Sequence, residues 1–194
     1  LAGFDWRWST RLFRTPTVFY GQMIGEDEAG GFPSRYLGQL GVSVTTPINA
    51  TGGTLRTSLE FSDTTCQFYE SSKLFDCAYN SSIYTSGYRY RGRSIGHSTD
   101  GDSRQVALLA QYTGPSGHTF SATVRQTDLN RAGALESPHS LTRRPRETSN
   151  VELLYQRPLA GGRLMTGIGF DRTNTQEEES ISDARVFVGW QMGM

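Results

Sequence analysis

The sequence predicts an all-β fold, an antiparallel transmembrane β-barrel to which this chain contributes about nine to eleven strands. The first observation is that apolar and polar side chains alternate along segments of about 9 to 11 residues, the length that a tilted strand needs to cross a bilayer. The second is that the connections between these segments are alternately short and mostly longer, which is typical of the two rims of an outer-membrane barrel. Because an open sheet edge cannot face lipid, such a sheet must close.

The composition is compatible with a single β-barrel domain over residues 1–194. Of the 194 residues, 36% are hydrophobic and 20% are charged, so the chain is neither disordered nor strongly acidic or basic. The formal net charge is zero, which argues against nucleic acid as a partner. Lys73 is the only lysine among 19 basic residues. This excess of arginine reflects either codon bias or a surface that meets acidic sugars or lipid phosphates.

The first two predicted strands span residues 2–9 and 16–24. Phe4, Trp6 and Trp8 share one face of the first strand. In a soluble protein this face would be core, whereas in a barrel it would face lipid, with a Trp near the headgroups. The alternation in the second strand is less regular.

An acidic loop is predicted over residues 25–33. Glu26, Asp27 and Glu28 resemble a hard-cation site, but they lack the alternate spacing and the distal Glu of a calcium-binding loop. We therefore interpret them as a solvated acidic loop, and we predict neither a metal site nor a cofactor.

The clearest alternation belongs to the third and fourth strands, a hairpin over residues 34–63 around a turn at 47–53. Leu40, Val42 and Val44 share one parity, and polar residues occupy the other. One face of each strand is therefore apolar and the other is polar.

The long connection over residues 64–103 contains both cysteines, Cys66 and Cys77. Two thiols are too few for a structural zinc site. A disulfide that closes a loop fits better than two free thiols, and it implies an oxidising compartment such as the periplasm or the cell surface.

The same connection interleaves aromatic and cationic side chains. Aromatic faces pack on sugar rings and arginine pairs with carboxylates, so this pattern suits an acidic carbohydrate. The alternative is a short extra hairpin with its arginines facing water. Separately, two further strands within residues 64–103 would keep the same strand parity. The predicted ligand-binding residues are Tyr84, Tyr88, Arg89, Tyr90, Arg91 and Arg93.

Five more strands are predicted downstream, each alternating in the same way. They cover residues 104–113, 118–128, 150–157, 163–172 and 181–194. The connections between them are short at 114–117 and 158–162 and longer at 129–149 and 173–180.

The alternation of turn lengths also predicts the orientation of the chain. If the short turns are periplasmic, the first strand runs inward from the cell surface. A complete bacterial barrel normally starts and ends in the periplasm with an even number of strands. Nine strands that start at the outer rim therefore predict the C-terminal part of a larger barrel, and no signal peptide is evident before the first strand.

Three stretches of this chain resemble the Wzi family of capsule assembly proteins: residues 2–8, 20–42 and 77–97. The resemblance covers the C-terminal half of a family member, and it implies an outer-membrane barrel of about eighteen strands. It also implies a lectin-like, non-enzymatic role in holding capsular or extracellular polysaccharide at the bacterial cell surface. The expected partners are an acidic polysaccharide and outer-membrane lipid and lipopolysaccharide, with the complete barrel monomeric.

Two other functions are compatible with particular residues. Polar side chains that would line a lumen, such as Arg56, Glu60, Gln111 and Arg125, would suit a porin for small solutes or saccharides. A hydrolase would need a triad assembled in space, and the proximity in sequence of His97, Ser98 and Asp100 does not establish one. The remaining histidines, His118 and His139, have no evident partners in sequence, so we predict no catalytic residues.

Overall fold

The computed structural model describes residues 2–81, 83–133, 139–175 and 178–192. These residues form one antiparallel sheet of nine strands, in which each strand pairs with its neighbours in sequence, and a separate two-stranded ladder. The strands are β1 (Ala2–Leu12), β2 (Thr15–Ala29), β3 (Phe32–Ile48), β4 (Gly53–Asp63), β5 (Arg89–Tyr90), β6 (Arg93–Ser94), β7 (Arg104–Thr113), β8 (Thr119–Leu129), β9 (Arg146–Leu159), β10 (Gly162–Thr175) and β11 (Glu178–Met192). Within the described ranges, no helix is long and apolar enough to cross a membrane.

One face of the sheet is apolar and exposed. Trp6, Leu40, Val106 and Val188 come from four different strands and keep 40%, 44%, 43% and 72% of their surface exposed. The register places Trp6 and Leu40 in one row across β2, because both align with Gly21. The predicted apolar face is therefore confirmed, and it points outward rather than into a protein core.

The opposite face is polar, and its side chains bond to one another between strands. The Nε of Arg56 donates to Ser43 Oγ at 2.9 Å, and the amide of Gln105 donates to Thr127 Oγ1 at 3.0 Å. Arg125 donates to the Asn150 side chain at 3.1 Å. Polar side chains inside and apolar side chains outside are the arrangement of a membrane barrel wall.

The sheet is not closed over the described residues. β1 pairs only with β2, and β11 pairs only with β10 among these strands. An open arc of nine strands is consistent with part of a larger barrel.

The structure corrects two of the predicted longer connections. β2 continues to Ala29 and β3 begins at Phe32, so that Glu26, Asp27 and Glu28 lie in a strand and not in a loop. Gly30 and Gly31 make the turn with φ of 62° and 85°. Similarly, β10 and β11 approach each other at residues 175 and 178. Alternation does not mark these strand ends, because a strand that extends beyond the lipid has water on both faces.

The other two longer connections remain long. Residues 64–88 precede the short ladder of β5 and β6, and residues 130–145 join β8 to β9. At the opposite rim the turns are tight, with Phe13 and Arg14 at φ of 49° and 69° between β1 and β2. The short-turn rim is confirmed, and the opposite rim combines two extended hairpins with two longer connections.

Candidate functional site

The connection between β4 and β7, residues 64–103, folds into a compact structure that we call the rim loop. Its centre is the Cys66–Cys77 disulfide, which joins Cα atoms 6.0 Å apart and confirms the predicted pairing. Leu37 of β3 packs against this centre. Within the described residues, the buried hydrophobic side chains are Leu37, Cys66, Ala78 and Tyr79. The hydrophobic core of this chain is thus small, and it anchors the rim loop to the end of the sheet.

Tyr79 links separate segments of the rim loop through hydrogen bonds and a ring contact. Its hydroxyl accepts a hydrogen bond from the His97 amide at 2.8 Å, and its carbonyl accepts one from the Tyr88 amide at 2.8 Å. The rings of Tyr79 and Tyr88 meet edge to face with centroids 5.9 Å apart. Burial raises the pKa of the Tyr79 phenol, so the hydroxyl stays neutral.

Arg89 is placed differently from the expectation that it faces a ligand. Its side chain is 6% exposed, and it pairs with the fully buried Asp100 through two hydrogen bonds of 2.8 and 2.7 Å. A third nitrogen donates to the Tyr79 carbonyl at 3.1 Å and to Asn80 Oδ1 at 2.7 Å. Its donors are therefore engaged within the protein, and the role that this geometry supports is to hold the loop together.

Asp100 also ties the rim loop to the next loop. Its carboxylate accepts the Ser140 amide at 2.6 Å and the Gly101 amide at 2.8 Å. Burial works to raise the pKa of Asp100, but the hydrogen bonds from Arg89 and Ser140 outweigh it and hold the pKa below its usual value. The carboxylate is thus charged and fully used as a structural acceptor.

Among the described residues, the histidines and serines of this region do not form the arrangement that a hydrolase would need. Nδ1 of His97 lies 2.7 Å from Thr99 Oγ1, and Asp100 is occupied by Arg89. His139 Nε2 lies 3.4 Å from Ser103 Oγ, a contact that sequence reasoning missed, but Ser103 is fully buried. Burial lowers the pKa of both His97 and His139.

The other predicted ligand-binding residues are exposed. Tyr84, Tyr88 and Tyr90 keep 74%, 41% and 66% of their surface, and Arg91 and Arg93 are exposed as well. The Arg91 guanidinium lies 5.3 Å from the centre of the Tyr90 ring. β5 and β6 pair Tyr90 with Arg93, which confirms a short hairpin but not two further strands of the barrel. We call Tyr90, Arg91 and Arg93 the cationic tip.

A cavity of about 1030 Å³ lies between the rim loop and the polar face of β1, β2 and β3. Tyr84 and Tyr88 line it from the loop. Its charged lining residues, among those that the structure describes, are the acidic Asp5 and Glu26. Amide side chains from Gln22, Gln39 and Asn80 also line it. Sequence reasoning missed this cavity, although Asp5, Gln22 and Gln39 align in one polar row of the register.

The two acidic side chains of β2 that the structure describes, Glu26 and Asp27, contact different parts of the protein. Glu26 lines the cavity, whereas Asp27 pairs with Arg35 at 3.2 Å. The side chain of Glu28 lies outside the described residues. Across the described part of the chain, no three His, Cys, Asp or Glu side chains are grouped so that they could hold a metal ion.

Comparison with known proteins gives a consistent result. The family model described as "Capsule assembly protein Wzi" matches residues 1–193. A solved structure of Wzi from Escherichia coli superposes with a TM-score of 0.83 at 24% sequence identity, covering 98% of this chain and 41% of that one. That protein is described as an outer membrane protein involved in group 1 capsule assembly and as a carbohydrate-binding β-barrel. No curated protein matches with significant similarity. By the coverage given above, this chain spans about two fifths of the length of the solved Wzi structure.

Proposed function

Because this chain belongs to the capsule assembly protein Wzi family, we propose that it is part of a bacterial outer-membrane β-barrel that binds capsular or extracellular polysaccharide at the cell surface. The proposed role is lectin-like and non-enzymatic. We place the short turns on the periplasmic side, and the rim loop and the described residues between β8 and β9 on the outer side.

The exposed apolar face is the single observation that carries the membrane placement. Its side chains alternate with hydrogen-bonded polar ones over nine consecutive strands. Exposure of so wide a surface to water would cost about 25 cal/mol for each Å² of apolar area, whereas lipid removes this cost. Aromatic pairs such as Trp8 with Phe19 and Phe120 with Tyr155 lie on this face near the short turns, where barrels carry an aromatic girdle.

The cationic tip supports an acidic polysaccharide as the ligand. Arg91 and Arg93 are exposed beside Tyr90, so that a guanidinium can pair with a sugar carboxylate while the ring packs on the sugar face. The similarity to a protein described as carbohydrate-binding supports the same class of ligand.

A double substitution of Arg91→Ala and Arg93→Ala in the full-length protein tests the ligand assignment. We expect reduced retention of capsule on cells and weaker binding of purified acidic polysaccharide at low salt. The matched control is Arg11→Ala with Arg163→Ala, which removes the same charge from exposed residues near the short turns. Unchanged capsule retention in the variant with Arg91→Ala and Arg93→Ala would overturn the role of the cationic tip.

A second candidate function, a channel for small solutes, is favoured by the polar inner face. Arg125, Asn150 and Asp171 form a hydrogen-bonded row across β8, β9 and β10 on that face. Conductance of the full-length protein in planar bilayers tests it. Steady single-channel steps would support an open lumen, and a silent bilayer would remove the channel.

A further inference from the structure

We propose that the disulfide-closed segment of the rim loop, residues 66–77, is an anchor in the membrane interface, with Phe68 and Tyr69 in contact with the headgroup region of the outer-leaflet glycolipid. The inference rests on the outer-membrane placement proposed above. It adds a lipid-binding site to a loop whose other end carries the cationic tip.

The position of Phe68 relative to the sheet is the first step. Its ring lies over Gly38 of β3, where a Cβ atom would come within 2.8 Å of it. Gly38 has the same parity as Leu40, whose side chain is on the apolar outward face. Phe68 also approaches the outward-facing Phe61, with ring centroids 6.5 Å apart. Phe68 therefore lies on the outer surface of the sheet.

The segment reaches this surface by crossing the edge of β3 beyond the end of β4. The Gln67 amide donates to the Tyr36 carbonyl at 2.9 Å, and the Leu74 amide donates to the Cys66 carbonyl at 3.1 Å. On the polar side, the loop packs against Leu37. The loop thus holds β3 from both faces where the pairing with β4 ends, and the two aromatic residues after Gln67 are fixed on the outside.

The height of Phe68 coincides with the end of the apolar band. Gly38 aligns with Asp63, which aligns with Arg104, and Arg104 aligns with Asp128. Asp63 and Arg104 lie one row beyond Phe61 and Val106 on the outward face, and Asp128 lies two rows beyond Val124, with Gln126 between them. The Arg104 guanidinium pairs with Asp128 at 2.7 Å. A row in which apolar side chains give way to charged ones marks the boundary between hydrocarbon and headgroups.

The chemistry of the segment suits that boundary. Tyr69 packs edge to face on Phe68, with centroids 5.4 Å apart, and keeps 55% of its surface exposed. Tyrosine, which has an apolar ring and a polar hydroxyl, is enriched at this depth in membrane proteins. Lys73 lies near the same row, 3.6 Å from Asp63, where a cation favours phosphorylated headgroups.

Photocrosslinking in living cells tests the proposal. The photoreactive residue p-benzoylphenylalanine replaces Tyr69 in the full-length protein. After irradiation the purified protein is probed with an antibody against lipopolysaccharide, and mass spectrometry detects adducts of any membrane lipid. A parallel variant at Tyr90, in the cationic tip, is the exposed control. A variant at Val124, within the apolar band, reports the membrane placement itself.

We expect a lipopolysaccharide adduct at Tyr69 and none above background at Tyr90. An adduct at Val124 to any membrane lipid, without an adduct at Tyr69, would overturn the anchor and leave the membrane placement intact. The absence of lipid adducts at all three positions, in protein that still fractionates with a folded barrel, would overturn the membrane placement and the anchor with it. A variant with p-benzoylphenylalanine in place of Phe68 tests the anchor independently, because it probes the ring that lies on Gly38. We expect a lipopolysaccharide adduct there as well.

Discussion

Arg89 and Asp100 form a two-pronged ion pair inside the rim loop, with Nε to Oδ2 at 2.8 Å and a terminal nitrogen to Oδ1 at 2.7 Å. The pair is 11 residues apart in sequence and almost completely removed from solvent. Two neighbouring arginines, Arg91 and Arg93, are exposed. Three arginines within five positions thus lie in two different environments, one buried and ion-paired and two exposed.

Substitution of Arg89 by alanine should unfold the rim loop without lowering the amount of folded barrel. It would leave the Asp100 carboxylate buried without its cation, and loss of one partner of a buried pair costs about 3–5 kcal/mol. Limited proteolysis of the full-length protein in detergent should show faster cleavage within residues 64–103. Arg91→Ala is the matched control, and equal protection in both variants would contradict the structural role of Arg89.

The rim loop should become more stable as the pH falls from 7 to about 5, owing to Asp102. Burial raises the pKa of this carboxyl to about 6, and the charges of Asp76 and Asp63 add to the effect. Its Oδ1 atom is also buried without a hydrogen-bond partner in the described residues. Because the folded pKa exceeds the unfolded value of about 3.9, the folded loop favours the protonated acid. The protonated Asp102 contributes its full stabilisation of the folded loop below the unfolded pKa, and this stabilisation is lost as the pH rises through about 6.

Hydrogen exchange, corrected for the intrinsic effect of pH, measures this dependence in the amides of residues 64–103. The full shift is worth about 3 kcal/mol, at 1.36 kcal/mol for each pKa unit, and about half of this gain is expected between pH 7 and 5. Asp102→Asn should abolish it. A gain that persists in this variant would assign the pH dependence to another group.

Acidification below pH 4 should reverse the trend through Asp100. Its pKa is lower in the folded loop than in the unfolded chain, so its contribution is present above the unfolded value of about 3.9 and is lost as the pH falls through the folded pKa. Exchange in residues 139–141 should increase together with exchange in the rim loop, because the Ser140 amide donates to Asp100. Independent opening of the two loops would contradict this link.

Removal of the disulfide should loosen the rim loop and spare the sheet. The bridge closes a segment of 11-residue separation, for which the chain-entropy model gives about 3 kcal/mol. A variant with Cys66→Ala and Cys77→Ala should retain the circular dichroism of the strands but lose protection within residues 64–103. Loss of strand signal would show that the loop is required for the barrel to assemble.

A charge introduced on the outward face should be far more damaging than the same charge on the inward face. Leu108→Arg places a guanidinium on the apolar face in the middle of β7, where it costs about 2–4 kcal/mol in lipid. Gln111→Arg, on the polar face of the same strand, is the matched control. The midpoint of urea unfolding in detergent or lipid vesicles compares them, and equal destabilisation would contradict the assignment of faces.

The strand pattern could be read from the sequence because it has a period of two residues. Strand β7 has the predicted bounds, and the parity of Leu40, Val106 and Val188 is that of the outward face. The strand ends were wrong where no lipid enforces the pattern, as at Glu26 and Asp27, which are paired in an extended hairpin beyond the apolar band.

By itself, the sequence determined which side chains face lipid, which face the polar interior, and that the two cysteines close a loop, since these depend on neighbours only a few residues apart. Only the tertiary structure decided that Arg89 is buried while Arg91 and Arg93 are free for solvent, because the partners of Arg89 include a carboxylate that the Ser140 amide also binds. It likewise decided that Phe68 crosses to the outer surface, where the absence of a side chain at Gly38 leaves room for its ring. Contacts between distant segments leave no periodic signal along a chain.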